Sequence, residues 1–341
     1  EARWFPIPTP GAPNNAGVIG FTDIAIDQES GLFDQPIEIT ISTASTPATP
    51  DAVIRYTTDG SEPTSDNGTD YSGPLAIDAT TILRVAAILE DHEPTKIETR
   101  SYIFLDSVLT QDGAGHPTTW AGSPTNYAVS SAIVNDPRYR DTIRDDLRSI
   151  PSISLVMDPD DLFGSQNGIY SHPTARGIAW ERPVSAEMIG AGVDGNVEFR
   201  VDAGVRIQGG GSRSPGNSPK HSFRLLFKTI YGPGKLDYPL FGDEAADKFD
   251  TFTLRAGYND GWGPNGNPNS TYLQDRWTAE SQLAAGGLGP HGIYVHLYIN
   301  GLYWGLYNPV ERPAASFAAS YLGGEKEDYD AYHTGVLTDG T

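Results

Sequence analysis

Hydrophobic and polar residues alternate in short runs along most of this chain. Val201, Ala203, Val205 and Ile207 take turns with Asp202, Gly204 and Arg206, and Phe223, Leu225 and Phe227 repeat the same pattern. Such alternation predicts half-buried strands. Earlier in the chain Ile37, Ile39 and Ile41 alternate with Glu38 and Thr40, and further runs follow at Val53–Thr57, Thr81–Ile88 and Thr99–Leu105. Asp59-Gly60, Asn67-Gly68 and Gly73-Pro74 separate them, which is turn chemistry. With no helical period between these runs, residues 17–105 are predicted to form an all-β sandwich.

The pattern then changes. Residues 106–150 read as a connector: Asp106 to Asn126 is loop-like, and Arg138 to Ile150 is a short helix with Ile143, Leu147 and Ile150 on one side, stopped by Pro151. Residues 151–341 open with a strand at Ile153–Met157. Asp158-Pro159-Asp160-Asp161 lacks the spacing of a calcium loop; Asp158 as N-cap with Pro159 behind it explains these residues more simply. Further strands are predicted at Val184–Ile189, Val197–Ile207 and Phe252–Arg255. Thr271 to Ala285 has helical composition, with Leu273, Trp277 and Ala284 inward and Asp275 suited to the start of the helix dipole. Val295–Ile299, the turn Asn300-Gly301 and Leu302–Tyr307 predict a hairpin, since Asn-Gly is the strongest short turn signal. A short helix follows from Ala314 to Tyr321. The Pro-rich residues 1–16 read as an incoming linker or the last strand of something upstream.

Composition narrows this picture. With 341 residues the chain is long enough for two domains, and at that size roughly three quarters of the unfolded surface is hidden. Lys and Arg number 23 against 44 Asp and Glu, a net charge of −21, which argues against general nucleic-acid binding and against attraction to anionic lipid. The absence of cysteine removes disulfides, thiolate zinc sites and cysteine nucleophiles. No apolar run is long enough to span a bilayer. The start at Glu1 and the ending GVLTDGT lead us to expect a piece of a larger, truncated polypeptide.

One stretch breaks the acidic trend. From Ala203 to Leu236 there are six basic residues, Arg206, Arg213, Lys220, Arg224, Lys228 and Lys235, and no Asp or Glu. They surround a loop rich in Gly, Ser and Pro, Gly209 to Pro219, which cannot continue either flanking strand. Two readings are open. A basic island at a glycine loop suits an anion, phosphate above all, because bare N–H groups approach it closely; the other reading is a solvated hairpin with a mobile tip. The histidines His172, His221, His291, His296 and His333 show no metal spacing, and no G-x-S-x-G elbow supports a serine hydrolase.

Residues 53–64, VIRYTTDGSEPT, followed by YSGPL at 71–75 and TILRVAA at 81–87, resemble the chitobiase/β-hexosaminidase C-terminal module. That resemblance implies a small immunoglobulin-like sandwich serving as an accessory domain in secreted bacterial proteins, with Tyr56, Tyr71 and the Asp59 turn as framework and carbohydrate contact as the other reading. Farther along, PSISLVMDPDDLF, GVRIQGGGSRSPGNSPKHSFRLLFK, LRAGYNDGW, TYLQDRW and YVHLYINGLYWGLYNPVERP, in that order, resemble the CotH family of atypical protein kinases. The opening RWFPIPTPGAPNN is similar to the closing strand of a lamin-tail-like module.

The second resemblance implies an α+β atypical kinase-like fold and phosphoryl transfer from ATP with Mg²⁺ or Mn²⁺. Transfer needs positive groups on the phosphates, a metal and a carboxylate to orient the attacking hydroxyl. Lys220, at the end of the glycine loop, is placed as a phosphate-contacting lysine would be. Arg206 and Gln208 project from the facing strand, and Ser212 and Arg213 sit in the loop. Glu311 is the candidate to pair with Lys220 or Arg206. Lys220 as a solvated strand residue, Glu311-Arg312 as a local salt bridge and Asn259-Asp260 as a simple turn are the plainer readings. The family's catalytic and metal-binding aspartates lie downstream of the GGEKEDYD-type stretch, and Asp328, Asp330 and Asp339 match neither, so no catalytic residue and no metal ligand is assigned.

The function expected is that of a secreted or cell-surface protein kinase acting on Ser or Thr of extracytoplasmic protein. Its rivals are a catalytically silent scaffold among cell-surface or matrix components, and an adhesive protein whose sandwich binds carbohydrate. No nucleic-acid partner and no membrane span are expected.

Overall fold

The computed structural model describes residues 3–4, 18–19, 23–43, 52–89, 94–261, 269–333 and 336–339. Most of the incoming segment 1–16, and Trp262, lie outside them; Arg3–Trp4 pairs with Val18–Ile19.

The first alternating runs become Ile24–Ile26 (β1), Gly31–Phe33 (β2), Ile37–Ile39 (β3), Ile41–Thr43 (β4), Val53–Thr57 (β5), Thr69–Asp70 (β6), Leu75–Ile77 (β7), Thr81–Ile88 (β8) and Glu98–Phe104 (β9). One sheet has the order β2-β9-β8-β5-β6, and β1 with β4 and β3 with β7 form two ribbons. The predicted Ile37–Ile41 run is therefore two strands. The break falls at Thr40, whose N–H donates to the Asp27 carboxylate at 2.8 Å. Isoleucines 24, 26, 39, 41 and 77 of the ribbons meet Leu83, Val85, Ala87, Tyr102 and Phe104 of the sheet, so the core lies between two β layers. The Tyr71 hydroxyl accepts from the N–H of Ile41 at 3.0 Å. Asp59 holds its turn by accepting from the Ser61 N–H and hydroxyl.

Helix Leu105–Thr110 (α1) stands where the sequence reads as loop, because Leu105, Val108 and Leu109 bury against the β-domain. The connector helix is Ile143–Arg148 (α2), shorter than predicted. Beyond it lie Ser152–Val156 (β10), helix Pro159–Phe163 (α3), Arg182–Ile189 (β11), Val197–Gln208 (β12), Ser222–Leu226 (β13), Thr251–Arg255 (β14), helix Gln274–Ala284 (α4), Val295–Ile299 (β15), Leu302–Glu311 (β16) and helix Ala315–Leu322 (α5). Asp158 does cap α3, accepting from the Asp160 N–H at 2.8 Å.

The seven strands close into a barrel, β10-β11-β12-β13-β14-β16-β15, sealed by the parallel pair of β10 with β15. Val201, Ala203, Val205, Ile207, Phe223, Leu225, Phe252, Leu254, Leu297 and Tyr307 fill it. The α+β kinase-like arrangement expected for residues 151–341 is thus not what the described residues display. They are mostly β, and only α4 and α5 exceed two turns. The face predicted for α4 is also corrected: Leu273 and Trp277 are 55% and 72% exposed, while Arg276 and Ala279 are buried. Arg276 turns inward because its guanidinium donates to the Pro290 carbonyl at 3.0 Å. Among the described residues no helix is long and apolar enough to cross a membrane.

The two halves are packed together. Ile82, Ile103, Leu105, Val108, Leu147, Val156 and Tyr298 share one buried cluster. Ser101 and Ser154 hydroxyls lie 2.8 Å apart, and Ser30 donates to Glu187 of the barrel at 2.8 Å. Arg200 bonds both Glu187 and Glu29.

Candidate functional site

Strands β12 and β13 pair from Gly204–Leu226 to Gln208–Ser222, and the glycine loop joins them. Gly209 has φ +135, and a Cβ there would lie 2.3 Å from the Ser212 hydroxyl, so only glycine turns the chain here. A Cβ on Gly210 would meet nothing within 4 Å. The loop tightens into a single turn at Gly211–Arg213. The N–H groups of Gly210, Gly211 and Ser212 donate to no acceptor among the described residues, leaving three successive amides for an outside anion.

Interior bonds hold that loop. Arg213 is 6% exposed and spends its guanidinium on carbonyls: Gly209 at 2.9 Å, Pro173 at 3.1 Å, Ala175 at 2.6 Å, and Ile207. Burial, with Arg176 and Arg206 nearby, pushes its pKa down to about 10. His221 is fully buried, and its Nδ1 donates to the Ser212 carbonyl at 3.0 Å. Burial lowers its pKa to about 4, against the help of that carbonyl. Asn217 donates to the Gly211 carbonyl at 2.9 Å.

Lys220 leaves the loop in another direction. Its ammonium donates to the Leu306 carbonyl at 2.7 Å and stands 4.5 Å from the Tyr307 ring centre and 5.9 Å from that of Tyr272. Gly305 makes room: with φ +108, a Cβ there would be 3.3 Å from Nζ. No carboxylate pairs with Lys220 among the described residues. Burial lowers its pKa to about 8, and the Leu306 carbonyl occupies only one of its three N–H donors.

The segment after β14 lies between the loop and the lysine. A Cβ on Gly211 would be 3.9 Å from the Tyr258 hydroxyl, and one on Gly257 would be 3.0 Å from the Tyr272 ring. Asp260 is more than the simple turn residue the sequence suggests. It is buried and accepts from the N–H groups of Thr271 at 2.9 Å and Gln274 at 2.8 Å, capping α4 from outside. Burial alone would raise its pKa; bonds from the N–H groups of Gln274, Thr271 and Tyr272 hold it below the usual carboxylate range. Tyr272 is thereby fixed at φ +61, a costly conformation for an aromatic residue, and the Tyr294 hydroxyl donates to its carbonyl. These side chains enclose a cavity of about 20 Å³ with Asn308 and Leu306, room for one water.

The six candidate residues are not one cluster. Ser212 and Arg213 belong to the loop's internal bonding. Arg206 pairs opposite Arg224, and Gln208 opposite Ser222, on the outer face of the barrel. Glu311 does not pair with Lys220 or Arg206. It accepts from the His291 N–H at 2.8 Å, from His291 Nδ1 at 2.9 Å and from the Tyr321 hydroxyl at 2.7 Å, anchoring α5. The reason is strand length: Lys220 is tied at Leu306, and five residues along β16 separate that carbonyl from Glu311 by about 17 Å.

A far larger open cleft, about 650 Å³, lies between Gln28–Phe33 and Gly192–Arg200 where the two halves meet. Its cation, Arg200, is already neutralised by Glu29 and Glu187, whereas Lys220 at the end of the glycine loop has no carboxylate partner among the described residues.

Fold and site together define a two-part chain, a β-rich domain packed on a β-barrel that carries a basic glycine loop. Residues 28–99 match the Chitobiase/beta-hexosaminidase C-terminal domain, and residues 205–339, which contain the loop, Lys220, Asp260 and Tyr272, match the CotH kinase protein family. The order is that of the two resemblances read from the sequence. No curated protein matches the chain.

Proposed function

We propose that this is a CotH-like protein kinase region, in which the barrel binds the phosphates of ATP at the glycine loop for transfer to Ser or Thr of a protein outside the cytoplasm. The observation that carries this reading is that one glycine loop both ends at Lys220, a desolvated cation with donors unspent, and carries three amides, Gly210 to Ser212, that bond no acceptor among the described residues. Backbone amides and a lysine suit phosphate oxygens, whose charge spreads over several acceptors. The match of residues 205–339 to the CotH kinase family supports the same reading.

The fit is confined to the phosphates. Among the described residues no group of three or more His, Asp or Glu side chains is placed to hold a metal ion. Asp260 spends both oxygens on amides, and Asp275 pairs with Arg255. None of these side chains is therefore assigned to Mg²⁺ or Mn²⁺. What the loop and Lys220 do is bind and orient a polyphosphate and neutralise its charge. Titration of the chain with ATP and Mg²⁺, repeated with Mn²⁺, tests this: saturable one-to-one binding is expected, and a flat isotherm with both metals overturns the assignment.

A further inference from the structure

Of the six bases between Ala203 and Leu236, most have a partner inside the protein. Lys228 is 2.7 Å from Glu181, Lys235 is 3.0 Å from Asp250, and Arg224 donates to Thr251 at 2.8 Å. Arg213 and Lys220 are held by carbonyls. Arg206 differs: half-buried on the outer barrel face, it makes no hydrogen bond and no ion pair among the described residues. Arg176, an exposed residue the sequence pattern did not mark, makes none either.

Arg213 brings these two together. Its guanidinium bonds the carbonyls of Ile207 and Ala175, the chain neighbours of Arg206 and Arg176. Arg213 thus ties the backbones of β12, the glycine loop and residues 173–176 together beside these two arginines. Their repulsion registers on Arg213, which Arg176 and Arg206 both destabilise in its charged form. In a chain of net charge −21, two neighbouring arginines with no carboxylate in ion-pair contact among the described residues fit a multiply charged anion, and arginine forks match phosphate oxygens in pairs. Two residues from Arg176, Ile178 is 76% exposed, an apolar contact that a free ion does not use and a peptide does.

We propose that Arg176 and Arg206, seated on Arg213, form a second anion site on the outer barrel face that docks a phosphate monoester carried on a protein segment. The site uses side chains other than Lys220, and its chemistry does not depend on the nucleotide reading. In a phosphorylating protein it would hold a product or an already phosphorylated substrate.

The test is fluorescence anisotropy of a labelled peptide, Gly-Leu-Ala-pSer-Ala-Gly, with the whole chain at physiological ionic strength. Arg176→Glu and Arg206→Ala should each weaken binding by about tenfold or more, while Lys220→Ala leaves it unchanged. Arg176 is exposed and makes no hydrogen bond or ion pair among the described residues, so its reversal does not threaten folding. Equal binding of the unphosphorylated peptide, or loss of binding in Lys220→Ala, overturns the site. Inorganic phosphate competing as well as the phosphopeptide does would assign the arginines to a small anion and overturn the docking of a segment.

Discussion

His221 is held neutral by its surroundings: it is fully buried, and one ring nitrogen is committed to the Ser212 carbonyl. An unfolded histidine takes up a proton near pH 6.5, this one only near 4. Its contribution to stability is complete above pH 6.5 and is lost as pH falls from 6.5 toward 4, reaching on the order of 3 kcal/mol. His116 and His296 are also lowered by burial and act in the same direction. Urea unfolding at pH 7 and 4.5 should therefore show a smaller loss in His221→Asn, which keeps a donor for Ser212 and cannot titrate. An equal loss in both proteins would place the acid sensitivity elsewhere.

Gly305 is the silent partner of Lys220. Gly305→Ala puts a Cβ 3.3 Å from Nζ at a φ of +108, so we predict destabilisation by more than about 1 kcal/mol together with weaker ATP binding. Melting and titration of one preparation check both. A loss of stability with unchanged affinity would mean that the lysine's position does not matter to the nucleotide.

At the scale of elements, alternation and turn chemistry locate strands well, because a strand's inward face is written every second residue. The hairpin at Asn300-Gly301 follows its sequence signal, with φ +46 and +81 at the turn. Helix α4 shows where such reading stops. Its composition suggests Leu273 and Trp277 inward, yet a carboxylate fourteen residues before Gln274 sets its start, and the Pro290 carbonyl draws Arg276 in. The site was legible only in part for the same reason. Lys220 and the glycine loop announce themselves locally, whereas Tyr272, Tyr307 and Gly305 join through contacts that no spacing encodes. The lysine–glutamate pairing failed because a strand's length came between its members. We predict that Asp260→Ala destabilises α4 by about 1–2 kcal/mol, the usual cost of a lost cap, and also lowers ATP affinity by releasing Tyr272 from its strained conformation. Hydrogen exchange confined to residues 271–284 would report the first effect; unchanged exchange there would show that the cap is dispensable.

Across the whole molecule, the β-domain is built into the barrel. Glu187 is 2% exposed and bonds both Ser30 across the junction and Arg200. Removing one member of a buried pair costs about 3–5 kcal/mol, so Glu187→Ala should lower the midpoint of a single cooperative unfolding transition. Two separate transitions in the unaltered protein would show that the halves do not depend on this junction. The same packing argues that a barrel stripped of residues 17–105 would expose Val156 and Tyr298, and that binding studies belong on the intact chain.

Whether Lys220 and the loop amides hold phosphate is tested most directly by calorimetric titration of the intact chain and of Lys220→Ala with ATP and Mg²⁺. Saturable binding is expected, weakened in the variant by about 1–3 kcal/mol, as for a lost charged hydrogen bond. Affinity in the unaltered protein should also fall as pH rises through about 8, where the amine loses its charge. Equal affinity in the two proteins, with no fall above pH 8, would contradict a phosphate-binding role for this lysine.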